Sequence, residues 1–357
     1  MSTAIVVGAG IGGVTAAVAL QRCGWQVSVL ERAPELGEVG AGISVWPSAV
    51  AVLEELGVKG VEKAAVVSKP AGMRKPSGRW VLAAADFGVE IPVMIHRAQL
   101  HELITAEFGP AVTVRTGYTV TKISQDETGV TVNDELRADL VVAADGIRSV
   151  VRSTLYPEYG GPRYSGYTAY RGIADLEVDD GGGETWGRGR RFGFARLIHG
   201  RIYWYATANQ PAGRGGDHAA VIAAEFGDWH DPIPKLLAGT ENVLHSDIYD
   251  LGLPLVPFVQ GRVVLLGDAA HAMTPDLGRG ACSAIEDAGA LARQLRETPE
   301  VTTALSQYDA ERRPATTKLV KRSRVIGRVG QLENPLVRAL RDGLFTIGGK
   351  LAGLRRR

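Results

Sequence analysis

Residues 4–31 read AIVVGAGIGGVTAAVALQRCGWQVSVLE. The apolar run Ala4 to Val7 has the makeup of a buried strand, and Val14 to Leu20 is an Ala-rich, helix-favouring segment. Between them Gly8, Gly10 and Gly13 fall at G-x-G-x-x-G spacing, with Gly12 inside the same turn. The first glycine permits a tight turn, the second admits a pyrophosphate and the third lets helix and strand pack closely. Val27 to Leu30 reads as a second strand, and Glu31 closes it 18 residues after Gly13, placed to accept both hydroxyls of a ribose. A lone glycine motif is weak evidence, but strand, turn, helix and acid in this order predict a dinucleotide-binding βαβ unit. An acid at that position repels a 2′-phosphate, so FAD or NAD is expected rather than NADP.

The rest of the composition narrows the class. A chain of 357 residues has room for two domains, and 45% hydrophobic with 22% charged residues is ordinary for a globular fold. Forty-five glycines, about twice the usual share, indicate many tight turns and close backbone approaches. The net charge is +1, which gives no reason to expect nucleic acid. Thirteen Lys/Arg and two acids fall between Arg312 and Arg357, so a basic tail of net +11 follows a body of net −10. With Cys23 and Cys282 alone there is neither a disulfide framework nor a zinc ribbon, and no metal site is expected. The chain enters its first strand without a basic leader and has no run of ~18 apolar residues, so a cytoplasmic protein is expected.

Two later segments face the same nucleotide. Leu140 to Ala144 is an apolar strand ending in Asp145-Gly146-Ile147-Arg148-Ser149-Val150-Val151-Arg152, the pattern D-G-x-x-S-x-x-R. Val263 to Leu266 is another, ending in Gly267-Asp268-Ala269-Ala270-His271 and Pro275. The turn Asp276-Leu277-Gly278-Arg279-Gly280 then opens a helical stretch from Ala281 to about Leu295, whose first N–H groups and positive dipole end face whatever sits there.

These three ordered motifs resemble the class A, single-component flavoprotein monooxygenases typified by para-hydroxybenzoate hydroxylase. The likeness runs to about Arg313, and Gly40 to Pro47 with the surroundings of Arg191 are most similar to the urate hydroxylase, salicylate hydroxylase and zeaxanthin epoxidase branches. It implies an α/β fold: a Rossmann-like FAD-binding domain (1–69, 96–158 and 258–313) interleaved with a mainly antiparallel β-sheet substrate domain (70–95 and 159–257), followed by basic C-terminal helices (314–357). It also implies FAD as cofactor, with NADH or NADPH as a transient co-substrate and O2 adding at flavin C4a before one oxygen passes to an aromatic or heteroaromatic small molecule. Gly12, Glu31 and Arg32 are then expected at the ADP half, and Ser44 and Arg97 beside the phosphates and ribityl chain. Asp145 serves FAD and the pyridine nucleotide, Asp268 the ribityl hydroxyls, and the segment Pro275, Gly278, Arg279, Gly280, Ala281 and Cys282 the flavin ring. A helix N-terminus opposite the pyrimidine edge of the flavin favours the negative charge of the reduced ring.

Several residues admit a plainer reading. An acid such as Asp268 is costly at the end of a buried strand without a partner, which favours flavin contact over a turn cap. His271 has no partner at suggestive spacing and reads as structural, and Cys282 reads as a small buried residue. Arg97 has a phosphate or a nearby acid as its alternatives.

Tyr164 to Leu176 and Thr185 to Ala208 are rich in aromatic and β-favouring residues, and in Arg201 to Thr207 a period of two puts Tyr203 and Tyr205 on one face and Trp204 on the other. By resemblance Arg191 and Tyr203 approach the substrate, although Arg191 equally fits a surface cluster with Arg188 and Arg190. Ala169 stands where the urate enzyme presents a polar amide, which argues against urate, while Asp276 and Arg279 replace the family's Asn and Gln and bring charge near the flavin. An epoxidase or other tailoring enzyme for a larger apolar substrate, and a non-redox flavoprotein binding or cyclising module, stay open. The tail, with Lys318, Lys321, Arg322 and Arg324 and then Leu336, Val337, Leu340, Leu344 and Phe345, reads as helices with a basic and an apolar face. They are expected to pack against the acidic FAD domain, with a membrane surface or protein partner as the alternative and a monomer or weak dimer as the assembly.

Overall fold

The computed structural model describes residues 1–37, 40–68, 72–83, 90–178 and 182–354. Pro70 of the segment assigned to the substrate domain and Arg355 to Arg357 of the basic tail lie outside the described residues.

The apolar run after Thr3 is buried from Ala4 to Val7, and it forms the strand Thr3–Val7 inside a six-stranded sheet. Its neighbours are Gln26–Leu30 and Leu140–Ala143, both parallel to it. Val112–Arg115 and Val263–Leu265 extend the parallel sheet on either side, and the short antiparallel strand Val259–Gln260 closes one edge. Continuous Val/Leu/Ile strands of this kind are what a sheet covered on both faces requires. Because the strands are parallel, their carboxyl ends share one edge. Gly8 to Gly13, Glu31, Asp145 and Gly267-Asp268 therefore converge there although they span most of the sequence.

A second sheet has seven strands in the order Leu244–Leu251, Pro162–Asp175, Arg201–Asn209, Arg190–Arg196, Gly183–Trp186, Gly72–Arg74 and Trp80–Ala83. All pairings are antiparallel except Gly183–Trp186 with Gly72–Arg74. Trp204 faces a core of its own, stacked on Phe192 at 5.4 Å, while Tyr203 and Tyr205 take the opposite face. The strand Val93–His96 departs from the expected boundary at 95. It pairs with Gly42–Val45 and Ala65–Val67 in a separate three-stranded sheet, Ile95 opposite Ile43 and Met94 opposite Ser44, and both Met94 and Ile95 are buried, one on each face.

The expected boundary between 313 and 314 is also absent, since one helix, Val301–Gly330, runs straight through Pro314. Proline removes one intrahelical hydrogen bond. The flanking turn is held from outside by Arg312 Nε donating to Asp287 at 2.7 Å, and within the helix by Arg313 Nε donating to Asp309 at 2.9 Å. The last helix, Pro335–Leu354, packs on the rim strand Trp80–Ala83 of the seven-stranded sheet, not on the parallel-sheet domain. Phe345 meets Trp186 edge-on at 6.1 Å and Lys75 pairs with Asp342 at 3.0 Å, contacts that draw it there.

Candidate active site

A cleft of about 1150 Å3 lies between the carboxyl edge of the parallel sheet and the Tyr203 face of the seven-stranded sheet. Its nucleotide end is set by glycines. Gly8 has φ +96°, and a Cβ on Gly13 would stand 1.9 Å from the Gly8 carbonyl oxygen, so strand and helix meet at a distance only glycine allows. Gly10 and Gly12 line the cleft at the start of the helix Ile11–Arg22, which has no side-chain cap and no acid in its first turn. That bare N-terminus is an anion site. Glu31 is held at the strand end by accepting from the Ala9 N–H at 2.7 Å and the Ala33 N–H at 2.9 Å. Arg32, expected beside it, is exposed and outside the cleft wall.

Ser44 and Arg97 line the cleft from the small sheet, the Arg97 N–H donating to Ala41 at 2.8 Å. Asp145 sits between the cleft-lining Ala144 and Gly146; its Oδ2 accepts from the Val151 N–H, and its Oδ1 is buried without a hydrogen-bond partner. Burial raises its carboxyl, against hydrogen bonds from Ser149 and the following backbone. Asp268 opens onto the cleft and is otherwise enclosed by protein. Burial raises it too, and His271, Arg97 and Arg152 oppose that rise. An orphaned carboxylate oxygen, a second acid facing the void and an uncapped helix are groups that the hydroxyls and phosphates of FAD satisfy, so the residues present fit the cofactor.

At the other end Pro275, Gly278, Gly280 and Ala281 line the cleft, Gly278 at φ +60°, and they lead into the helix Gly280–Glu297, again without a side-chain cap. Arg279 does not bring charge to this turn as expected: Glu286, two helical turns on, binds it at 2.7 Å, and its guanidinium sits 5.5 Å from the Trp46 ring. Cys282 is buried behind the turn with its Sγ on the Ser44 carbonyl, and burial pushes the thiol up to about 11. Among the described residues no group of side chains could hold a metal.

His271, structural by its spacing, is fully buried and donates through Nε2 to Asp287 at 2.6 Å. The same carboxylate accepts from the Gly267 N–H and from Arg312; burial works to raise it, but the charges and hydrogen bonds of His271 and Arg312 outweigh that and hold Asp287 down to about 2. This cluster fixes the Gly267-Asp268 turn from behind.

The substrate wall follows from strand alternation. Ala169 and Arg171 lie opposite Thr207 and Tyr205, Thr207 lies opposite Arg191, and Arg191 opposite Trp186. The Tyr203 ring rests on Gly42, where a Cβ would approach it to 2.4 Å, and burial raises its hydroxyl against the charge and hydrogen bond of Arg171. Tyr205 crosses over Gly193 to donate to Glu184 at 2.5 Å, and Trp186 Nε1 donates to the same carboxylate at 2.6 Å. Arg191 is not a surface residue. It is 2% exposed and ion-paired with Asp276, whose other oxygen accepts from Tyr167 at 2.8 Å. Burial opposes its charge, and Glu184, Asp276 and the two tyrosines more than offset this, raising it further above the usual arginine value. Arg191 nevertheless lines the cleft, with Nε and Nη1 buried and without hydrogen-bond partners, and Arg171, bonded to Ser246 at 2.8 Å, is a further cation of this wall. Glu184 and Trp186 escaped the sequence reading because no motif marks them; only the alternation about Arg191 points to their face.

The family model described as FAD binding domain matches residues 1–174 and 254–323, leaving between them four strands of the seven-stranded sheet, Gly183–Trp186, Arg190–Arg196, Arg201–Asn209 and Leu244–Leu251. The chain is 39% identical to the aurachin C monooxygenase/isomerase of Stigmatella aurantiaca, over 96% of this chain and 93% of that protein. It is 32% identical to the 2-heptyl-3-hydroxy-4(1H)-quinolone synthase of Pseudomonas aeruginosa, over 97% and 94%. Its fold is similar to that of Klebsiella pneumoniae HpxO complexed with FAD and uric acid, with a TM-score of 0.87 at 30% identity over 98% of this chain and 95% of that one. Glycine cradle, converging acids and these likenesses agree, and the chain belongs to the FAD binding domain family as a flavoprotein monooxygenase of the para-hydroxybenzoate hydroxylase type.

Proposed function

We propose that this monooxygenase hydroxylates a fused or substituted heteroaromatic ring bearing one enolisable or phenolic oxygen, with NADH or NADPH as reductant. The observation that carries the reading is the wall itself: Tyr203, Tyr205 and Trp186 face the Pro275 to Ala281 turn across one continuous cleft, with Arg171 at its side. Aromatic walls hold a flat ring by stacking, and Arg171 is placed to bind its oxygen as an anion, which enriches the ring for attack by an electrophilic oxygen. Glu184, already accepting from Tyr205 and Trp186, orients these rings and offers an acceptor to a ring N–H. FAD, when bound, takes up hydride and activates O2; the protein supplies position, electrostatics and exclusion of water. Two relatives are named for quinolone and uric acid, nitrogen heterocycles carrying exocyclic carbonyl or hydroxyl oxygens, which supports this substrate class. Ala169 lies on the wall without a polar amide, which supports a ring less polar than urate.

The test is substrate-stimulated NADH and NADPH oxidation by the FAD-loaded protein, across 4-hydroxyquinolines, hydroxybenzoates, hydroxypyridines and urate, with product mass measured. A gain of one oxygen atom on a 4-hydroxyquinoline is expected. Flavin reduction that no ring compound accelerates would overturn the reading.

A further inference from the structure

A second cavity of about 460 Å3 lies between the helices Val301–Gly330 and Pro335–Leu354, within the size range of small-molecule sites, about 300–1,000 Å3. Its walls are aliphatic and aromatic, with Val329, Leu332 and Phe345 deep and Val325, Leu340 and Leu344 at the lips. The one charged lining residue, Arg341, is buried and already engaged, donating to the Val329 carbonyl at 3.1 Å and to Asp342. Val325, Leu340 and Leu344 are 57%, 64% and 60% exposed, an apolar opening that costs free energy when left in water.

This groove adjoins the active-site cleft. Trp186 lines both cavities, and Met73 and Leu82, which line the cleft, pack in one cluster with Trp186, Val329 and Phe345. The partition is a single layer of side chains. The groove is also held in place relative to the cleft, by Lys75 with Asp342 at 3.0 Å and by Gly189 N–H donating to the Leu332 carbonyl at 3.1 Å. An apolar void that shares a wall with a ring-binding chamber fits one molecule with a flat head and an aliphatic tail.

We propose that this interhelical groove binds the aliphatic tail of an amphiphilic substrate whose ring occupies the cleft, with Trp186 as the partition the chain displaces. The substrate identity rests on the ring-hydroxylation reading; the affinity of the groove for an alkyl chain does not. The experiment uses the FAD-loaded, full-length protein and the probe 10-bromodecan-1-ol, whose bromine quenches tryptophan emission on contact, with 3-bromopropan-1-ol as the short-chain control. Saturable quenching by the long probe alone is expected, much reduced in Trp186→Phe, and Leu340→Glu should weaken it by about tenfold by setting a charge at the groove lip. Leu340→Ala, which removes bulk without charge, should give a smaller loss and guards against misfolding of the first variant. FAD content and unstimulated NADH oxidation should stay unchanged in both Leu340 variants.

Equal quenching by both probes, or by wild type and Leu340→Glu, would overturn the proposal. So would Leu340-dependent sedimentation with phosphatidylglycerol vesicles without quenching by the probe, which would make the occupant a bilayer, or a dimer by light scattering that Leu340→Glu dissociates. If the probe binds as expected while no ring compound is hydroxylated, the ring reading fails and the groove stands. In a series of 2-alkyl-4-hydroxyquinolines, KM should fall with chain length in wild type and lose that dependence in Leu340→Glu.

Discussion

Arg191 and Asp276 form an ion pair enclosed by protein, their side chains 2% and 0% exposed, and the helix Val301–Gly330 covers it with glycines. A Cβ at Gly327 would lie 2.4 Å from Asp276 Oδ2, and one at Gly330 would lie 2.7 Å from Arg191 Cδ. Removing one partner of such a pair strands the other charge, which typically costs about 3–5 kcal/mol, whereas replacing both with apolar groups costs far less. Arg191→Met and Asp276→Leu should each lower the urea midpoint sharply, and the double variant should recover most of the loss. Equal additive losses in the double-mutant cycle would show that the pair carries no such coupling.

Gly13→Ala tests the cradle. The added Cβ meets the Gly8 carbonyl at 1.9 Å, so strand and helix must separate where the pyrophosphate binds. The purified variant should be colourless, with FAD affinity down by about 100-fold or more as read by flavin fluorescence quenching. A yellow protein with unchanged affinity would contradict the placement.

Asp287 gives a pH signature. Its carboxyl drops from an ordinary 3.8 to about 2 on folding, so between those values the unfolded chain binds more protons than the folded one. Stability from this group is complete above pH 3.8 and is lost as pH falls toward 2; by linkage the loss is on the order of 2 kcal/mol. Asp287→Asn should be less stable at neutral pH and show a flatter acid limb in urea midpoints measured across that window.

Arg171→Met should raise KM for the ring substrate by about 10- to 100-fold, the scale of one hydrogen bond to a charged group, while FAD content stays at wild-type level. Tyr203→Phe keeps the ring against Gly42 and should give a smaller effect. Steady-state KM and kcat for the two variants, set against bound-flavin absorbance, separate substrate contact from cofactor loss.

The βαβ cradle was legible because everything it needs lies between Ala4 and Glu31, in one covalent unit whose spacing is its geometry. The Asp145 and Asp268 turns were legible for the same reason: each ends an apolar strand, and parallel strands share an edge. Contacts between distant segments were not. Arg191 and Asp276 stand 85 positions apart and meet only when a helix and two sheets have packed, and His271 finds Asp287 only through the docking of the helix Gly280–Glu297. Arg279 was placed by its neighbours in sequence, yet Glu286 on the same helix face claims it, a pairing that helical periodicity contains.

The unbroken passage of the helix Val301–Gly330 through Pro314 makes it a splint between the two halves. Near its start the Tyr308 hydroxyl donates to the Leu265 carbonyl, three residues before the cleft-lining Asp268, farther along Ser323 donates to Thr274, and Arg324 reaches Asp250 of the seven-stranded sheet. Chains cut between 313 and 314 would therefore shed no detachable tail. They would lose the rod that sets the gap between aromatic wall and flavin, and turnover should fail even where the colour survives.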